Sequence, residues 1–459
     1  MKRFISSLLL IALLFLTNSG FAQESRTITL QEAIDIALEN NYQLKQAQNN
    51  LDLSEYRLKS EYADFLPSVN SNINGSRRTG QQFISDRFSE GLDPFVDITS
   101  KSISGSMSAS VPIFNGFENI NSLRASQQSK ISEEESFQRA KEQVIFNTAS
   151  SYLQVLLDME LLEIRKENIE NSLKQLEQVQ AQVEVGSRPT VDLYNQEAQV
   201  ANEELLLTQQ ENSLKFSKLL LIRQLQIDPL GNYEFEVPEI ESEISSVNMQ
   251  TYSLSELIDQ ALLNRSDLKS AISNIRALEY QLGITKGSLY PSVSASFGLS
   301  TSYSDQYSVF GEEVGFSDQF FDQRINRSLG FSVNIPIFQN WNRMTNIQSS
   351  KIQLKNAELN LDNSRLQVIQ EVAQAYNDYS SYVQQLAASE KSLKASERAF
   401  ETQQERYNVG SSTLIELSQA QANYVSAQSD YTQAVYNLIF QEKLLDYYLG
   451  KLSSENVDF

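Results

Sequence analysis

Between Ser328 and Phe338 the chain reads Ser-Leu-Gly-Phe-Ser-Val-Asn-Ile-Pro-Ile-Phe, so that Leu329, Phe331, Val333, Ile335 and Ile337 alternate with small or polar residues. A period of two predicts a strand with one apolar face. The pattern returns over Lys101 to Phe114, where Ile103, Met107, Ala109, Val111 and Ile113 stand among serines. It returns again over Ser292 to Tyr303 through Val293, Ala295, Phe297, Leu299 and Tyr303, and more weakly over Ser68 to Ser76. The flanking sequence is polar and helical and offers no core for these faces, so four transmembrane strands facing lipid are expected.

After the second and fourth strands the period changes from two to seven. Ile347, Leu354, Leu361 and Val368 are followed by a four-residue step to Val372, then by Tyr379, Leu386, Leu393 and Phe400; Leu162, Ile169, Leu176 and Val183 echo this spacing earlier in the chain. Seven-residue spacing makes a coiled-coil seam, and the four-residue step is a stutter that locally unwinds it. Neither proline nor glycine interrupts Glu118 to Val185, so at ~1.5 Å per residue the helix would be roughly 100 Å long. The long helices are expected over about 117–185 and 341–409. Gly186 and Gly410 end them, and Asp192 and Glu416 stand where the returning helices begin.

The two halves are copies. Thr29-Leu-Gln-Glu32 and Ser253-Leu-Ser-Glu256, both S/T-x-x-E signatures of a helix start, lie 224 residues apart. The same offset relates Leu66-Pro67 to Tyr290-Pro291, Val111-Pro-Ile-Phe114 to Ile335-Pro-Ile-Phe338, and Val185-Gly186 to Val409-Gly410. A tandem duplication follows, with repeats over 23–226 and 253–450, a connector over 227–252 and a tail over 451–459. Each repeat is expected to run helix, strand, loop, strand, very long helix, turn, helix. Residues 77–100 and 304–327 are polar without a clear period and are expected to be long outer loops. In the connector, Tyr233, Phe235 and Val237 alternate with glutamates, which predicts a short strand packed on the helices.

Composition narrows the class. Lys2 and Arg3, an apolar run from Leu8 to Leu16 and the small-x-small Gly20-Phe-Ala22 read as a signal peptide over 1–22. Losing its two basic residues takes the formal net charge from −21 to −23, which argues against nucleic acid as a partner. No later run is apolar for the ~20 residues of a spanning helix, so a membrane protein of this sequence has to be a barrel. Cysteine and histidine are both absent. Disulfides, most transition-metal sites and most nucleophile or general-base constellations are thereby excluded, and neither catalysis nor a metal or cofactor is expected.

Signal peptide, paired strands, heptad helices, Pro-Ile-Phe strand exits and Val-Gly turns, in this order and spacing over nearly the whole mature chain, resemble the TolC family of outer-membrane efflux proteins. The resemblance implies a mainly α protein with a membrane β-barrel portion. Long coiled-coil helices would form a periplasmic α-barrel, and four strands per protomer would enter one barrel shared by a homotrimer. It further implies an exit duct for drugs, small toxic compounds or proteins, joined through a periplasmic adaptor to an inner-membrane pump, with outer-membrane lipid around the barrel. By the same resemblance the turns Val185-Gly186-Ser187-Arg188 and Val409-Gly410-Ser411-Ser412 form the adaptor-docking tip. Asp192, Tyr407 and Glu416 belong to a periplasmic gate, with the tyrosine hydroxyl expected to donate to the carboxylates. The family's gate arginine would fall at Ser412, leaving Arg188 or Arg406 to replace it. Phe114, Phe117, Phe338 and Trp341, just past the strand ends, are expected to be an aromatic girdle. The competing readings are a barrel-anchored adhesive or structural coiled-coil stalk, and a monomeric porin, for which four strands are too few.

Overall fold

A computed structural model describes residues 26–83, 85–237, 253–339 and 341–453. The expected signal peptide, most of the connector and the last six residues of the tail lie outside them.

Eight helices carry the duplication. The first repeat contains α1 (Leu30–Asn40), α2 (Tyr42–Ala63), α3 (Glu118–Glu184) and α4 (Thr190–Leu225). The second contains α5 (Leu254–Asn264), α6 (Ser266–Gly287), α7 (Asn342–Asn408) and α8 (Leu414–Tyr448). All eight start at positions related by the offset read from the sequence. Among the described residues no helix is long and apolar enough to cross a membrane. Thr29 caps α1, its hydroxyl accepting from the Glu32 amide at 3.1 Å. Ser253 stands at the equivalent N-cap, but its hydroxyl pairs with that of Ser255 at 2.9 Å instead. The heptad seam is real: along α7, Ile347, Leu361, Val368, Val372 and Tyr379 are buried, and Leu354, Leu386, Leu393 and Phe400 are half-buried.

The chain forms two compact units, and each draws on both repeats. The first comprises the described parts of 1–49, 135–269 and 363–459. Its core joins Tyr152, Val155 and Leu156 of α3 to Leu221 and Leu225 of α4, Val435 and Ile439 of α8, and Ala33 and Ala37 of α1. Strand β1 (Arg26–Ile28) runs parallel to β4 (Tyr233–Phe235), the short connector strand that the alternation predicts. The buried Tyr152 hydroxyl lies 2.9 Å from the carbonyl oxygens of both Ile28 and Glu236 and so holds the two segments to the core.

An ionic cluster ties α5 and α6 to α7 within this unit. The Arg265 guanidinium donates to Asp267 and to Glu371, each at 2.6 Å. Burial penalises its charge, yet the two carboxylates outweigh that and raise its pKa. Burial likewise pushes Asp267 up, but the Arg265 hydrogen bonds win and its pKa is lowered. Arg265→Ala leaves Asp267 only the more distant Arg139, at 3.9 Å, and the Leu268 amide, and leaves Glu371 only the Gln367 amide. Because the Asp267 side chain is 38% exposed, the cost is expected at about 2 kcal/mol, below the full value for a buried pair. The Asp267 contribution is complete above the ordinary aspartate pKa of ~3.9 and is lost as pH falls through the lower folded value. Urea midpoints of wild type and variant at neutral and acid pH measure both effects; equal midpoints would show that the cluster stabilises nothing.

The second unit, 50–134 with 270–362, contains the sheet. Strands β2 (Ser68–Phe83), β3 (Phe95–Asn115), β5 (Ser292–Ser304) and β6 (Asn326–Asn334) pair antiparallel in that order. The first hairpin is longer than expected, because pairing continues to Phe83 opposite Phe95 and takes in residues expected to be loop. Alternation reports an apolar face, and Arg77 to Gln82 on the β2 side carry no apolar residue to report one. Conversely β6 stops at Asn334, four residues early. Its partner β5 begins at Ser292, opposite Asn334, and Pro336 has no N–H for a ladder. Residues 304–327 are also structured, with a two-stranded ribbon (Ser308–Val309, Glu312–Glu313) and helical turns over Phe316–Asp318 and Gln319–Gln323.

Candidate functional site

Two places carry functional geometry, the sheet and the turns that end the long helices. Across the sheet the register sets Val69, Ala109, Phe297 and Leu329 side by side, then Val111, Ala295 and Phe331, then Phe114, Val293 and Val333. The other face shows Ser68, Ser110, Ser296 and Gly330 in one row and Asn70, Ser108, Gly298 and Ser328 in the next. Leu329 and Phe331 are 75% and 70% exposed, so among the described residues no core covers this part of the apolar face. Water would reject that face and accept the serine face, as a barrel wall between lipid and an aqueous lumen requires. Among the described residues β2 and β6 each keep one unpaired edge. In lipid every unpaired backbone group costs several kcal/mol, so these edges need partners.

At the strand exits, Phe114 and Phe117 meet edge to face at 5.2 Å, and Phe117 also meets Tyr290 at 6.3 Å. Phe338 and Trp341 project outward, 75% and 69% exposed. Phe117 and Trp341, equivalent in the two repeats and each one residue before a long helix, both adopt left-handed backbone, with φ of 67° and 63°. For bulky residues this is strained by about 1–2 kcal/mol, and no local sequence signal announces it.

The two turns are built alike. Gly186 (φ 71°) and Gly410 (φ 77°) place their N–H on the carbonyls of Val183 and Tyr407, at 2.9 and 3.0 Å. Ser187 and Ser411 donate theirs to Gln182 and Arg406, at 2.9 and 2.8 Å. This is the double closure of a Schellman motif, and a left-handed C′ residue makes it possible. The serine hydroxyls reach the same two carbonyls, at 2.8 and 3.1 Å, so Ser187 and Ser411 complete the helix ends. Val185 and Val409 stand free, each 78% exposed.

Beneath the turns Tyr407, Val179, Leu414 and Leu417 form a buried cluster with Val183, Leu193 and Phe400 packed against it, joining the ends of α3, α4, α7 and α8. Arg188 lies over the Tyr407 ring, 4.1 Å from its centroid, and its Nη1 is 3.6 Å from the Asp192 carboxylate. Asp192, Tyr407 and Arg188 therefore meet in one site. The expected donor role of the tyrosine hydroxyl is not what the geometry shows. Helical phase turns Tyr407 inward, where its hydroxyl lies beside the Gln175 amide without a well-formed hydrogen bond, and the ring engages the arginine. Burial pushes the phenol's pKa up. Arg406 turns elsewhere, donating to Gln403 and to the Ser411 carbonyl, each at 3.3 Å.

Glu416 belongs to a separate cluster. Its carboxylate accepts from the Thr413 amide at 3.0 Å and the Ser412 hydroxyl at 2.8 Å, while the Thr413 hydroxyl accepts from the Glu416 amide at 3.3 Å. This is a capping box, legible as Thr413-x-x-Glu416 but missed in reading the sequence for gate residues. Gln403 bridges to Ser412 and, at 3.3 Å, to the same carboxylate. The Thr413 backbone N–H, then the Ser412 and Thr413 hydroxyls, hold the Glu416 pKa below the ordinary carboxylate value. Among the described residues no group of three acidic, histidine or cysteine side chains is placed to hold a metal ion. What the tip offers is a cation held between a ring and a carboxylate, suited to fastening helices together.

The profile of the family described as outer membrane efflux protein matches residues 33–224 and 257–451, one match in each repeat. The cation efflux system protein CusC of Escherichia coli O157:H7 is 23% identical over 344 residues, covering 74% of this chain and 68% of that protein. The outer membrane protein TolC of Escherichia coli strain K12 is 21% identical over 455 residues, covering 98% of this chain and 87% of that one. The crystal structure of the Campylobacter jejuni CmeC outer membrane channel superposes with a TM-score of 0.76 at 18% identity, covering 94% of this chain and 87% of that one. With both repeats matched and a sheet built for lipid on one face and water on the other, the chain belongs to the outer membrane efflux protein family and is an outer-membrane efflux channel.

Proposed function

We propose that three copies of the chain close one barrel, supplying twelve strands, and that their long helices form a periplasmic conduit that an adaptor joins to an inner-membrane pump. The observation that carries this reading is the two-faced sheet with two open edges. Four strands are too few for the ~8 of the smallest barrels, and a closed ring of copies removes every edge at once. The exposed Val185 and Val409, at matched turns, suit docking of the adaptor's hairpins. The cargo is proposed as drugs, small toxic compounds or secreted proteins, carried without chemical change.

In this reading Arg188 is the gate's fastener and takes the role of the arginine that Ser412 replaces. Its stacking on Tyr407 and its pairing with Asp192 together supply ~1–2 kcal/mol per protomer. Glu416 acts first as a helix cap and only secondarily as charge at the entrance. Single-channel recording in planar bilayers tests this assignment. Arg188→Ala should raise conductance, whereas Tyr407→Phe, which keeps the ring, should stay near wild type. Equal conductance for wild type, Arg188→Ala and Asp192→Ala would reject the latch.

A further inference from the structure

The segment between β5 and β6 is fastened to the sheet by unusually specific contacts. β6 begins at Asn326, opposite Ser300, so the last residues of β5 have no strand on that side. The fully buried Gln319 fills the gap like a missing strand residue. Its Nε2 donates to the carbonyls of Ser304 and Val314, at 3.0 and 2.6 Å, and its Oε1 accepts from the Ser304 amide at 3.0 Å. The Thr301 hydroxyl donates to the Phe320 carbonyl. The Phe320 ring covers Gly105, where an added Cβ would meet it at 3.0 Å.

These contacts identify the face. Gly105 and Thr301 are register partners in line with Met107, Ala109, Phe297 and Leu299, so the segment lies on the apolar side and leaves the serine side clear. Phe320 packs on Phe316 and Phe321, at 5.1 and 5.2 Å between ring centres, and Phe316 packs on Tyr303 at 5.2 Å. Phe321 stays 66% exposed and Phe316 41%. Ten residues of β5 separate Val293, beside Phe114, from Tyr303. At ~3.3 Å per residue and a strand tilt of ~40° that is a height of about 25 Å, matching the apolar band of an outer-membrane barrel.

We propose that Phe316–Phe321, with Tyr303, is a lipid anchor at the outer-leaflet boundary, which straps the second extracellular segment to the outside of the barrel wall and keeps it off the exit. The anchor's rings lie over Gly105 of β3 and Tyr303 of β5, while Gln319 closes the stretch of β5 edge that β6 leaves open. The proposal rests on the lipid-facing reading of the apolar face, and the test separates the two. In a Trp341→Phe background, which removes the only tryptophan, single tryptophans are placed by Phe321→Trp, by Phe316→Trp and, midway along the band, by Phe297→Trp. The proteins are reconstituted in phosphatidylcholine vesicles brominated at shallow or deep acyl positions. Phe297→Trp should be quenched most by deep bromines. Phe321→Trp and Phe316→Trp should be quenched several-fold more by shallow bromines than by deep ones, and less by aqueous acrylamide. Adding Gln319→Ala should release the segment and reverse that preference. Acrylamide quenching without bromolipid quenching at 316 and 321, with Phe297→Trp quenched normally, overturns the anchor alone. Loss of bromolipid quenching at Phe297→Trp as well overturns the face assignment and the anchor together.

Discussion

Phe297→Arg should remove the protein from the outer membrane, and Ser296→Arg, one residue away, should leave it there. Phe297 lies between Ala109 and Leu329 near the middle of the apolar face. Arginine at that depth costs ~2–4 kcal/mol in a barrel wall, and the proposed ring of three copies would bear the cost three times. Ser296 sits between Ser110 and Gly330 on the opposite face, where the lumen's water can solvate a guanidinium. Blots of outer-membrane fractions for a heat-modifiable oligomer give the readout. Equal assembly of the two variants would mean that the sheet does not separate lipid from water.

Gly410→Pro should abolish export while the oligomer persists at wild-type levels. The residue holds a φ of 77°, which proline, fixed near −65°, cannot adopt. Its N–H closes the helix end on the Tyr407 carbonyl, and proline has none to give. A Cβ at this position meets nothing within 4 Å, so the damage comes from the backbone alone. Gly410→Ala keeps the N–H and should cost only the ~1–2 kcal/mol of a left-handed L-residue. Unwinding the turn should move Tyr407 from under Arg188 and displace the exposed Val409, so that the proposed latch and the proposed docking surface fail together. Drug susceptibility of a strain dependent on this duct should match that of a deletion strain; unchanged susceptibility would place the docking surface elsewhere.

What could be read from the sequence followed from one-sided environments. The alternation in β3, β5 and β6 was visible because lipid demands Val, Phe and Leu where the lumen accepts serine. The seam of α7 was visible because one stripe of a long helix is buried and no proline or glycine interrupts it. The end of the first hairpin was not, since Arg77 to Gln82 are polar throughout and give no alternation to pair with Val96 and Ile98. Gln319 was equally silent: a lone glutamine in a polar stretch gives no sign that it completes a strand edge. At the tip, Val-Gly located both turns and the resemblance singled out Tyr407 and Asp192. The partner of Tyr407 lies in the other repeat, however, and only packing chose Arg188 over Arg406. The same packing turned Tyr407 inward, exchanging the expected hydroxyl contact for a ring contact.

The central claim is that no single chain closes the pore, and the mass of the undenatured protein tests it most directly. Protein extracted from outer membranes in mild detergent should give, by native mass spectrometry, one species of three chains that heating in denaturant converts to one. A monodisperse monomer would contradict the shared barrel, since the two open edges of β2 and β6 would then have to survive unpaired in lipid.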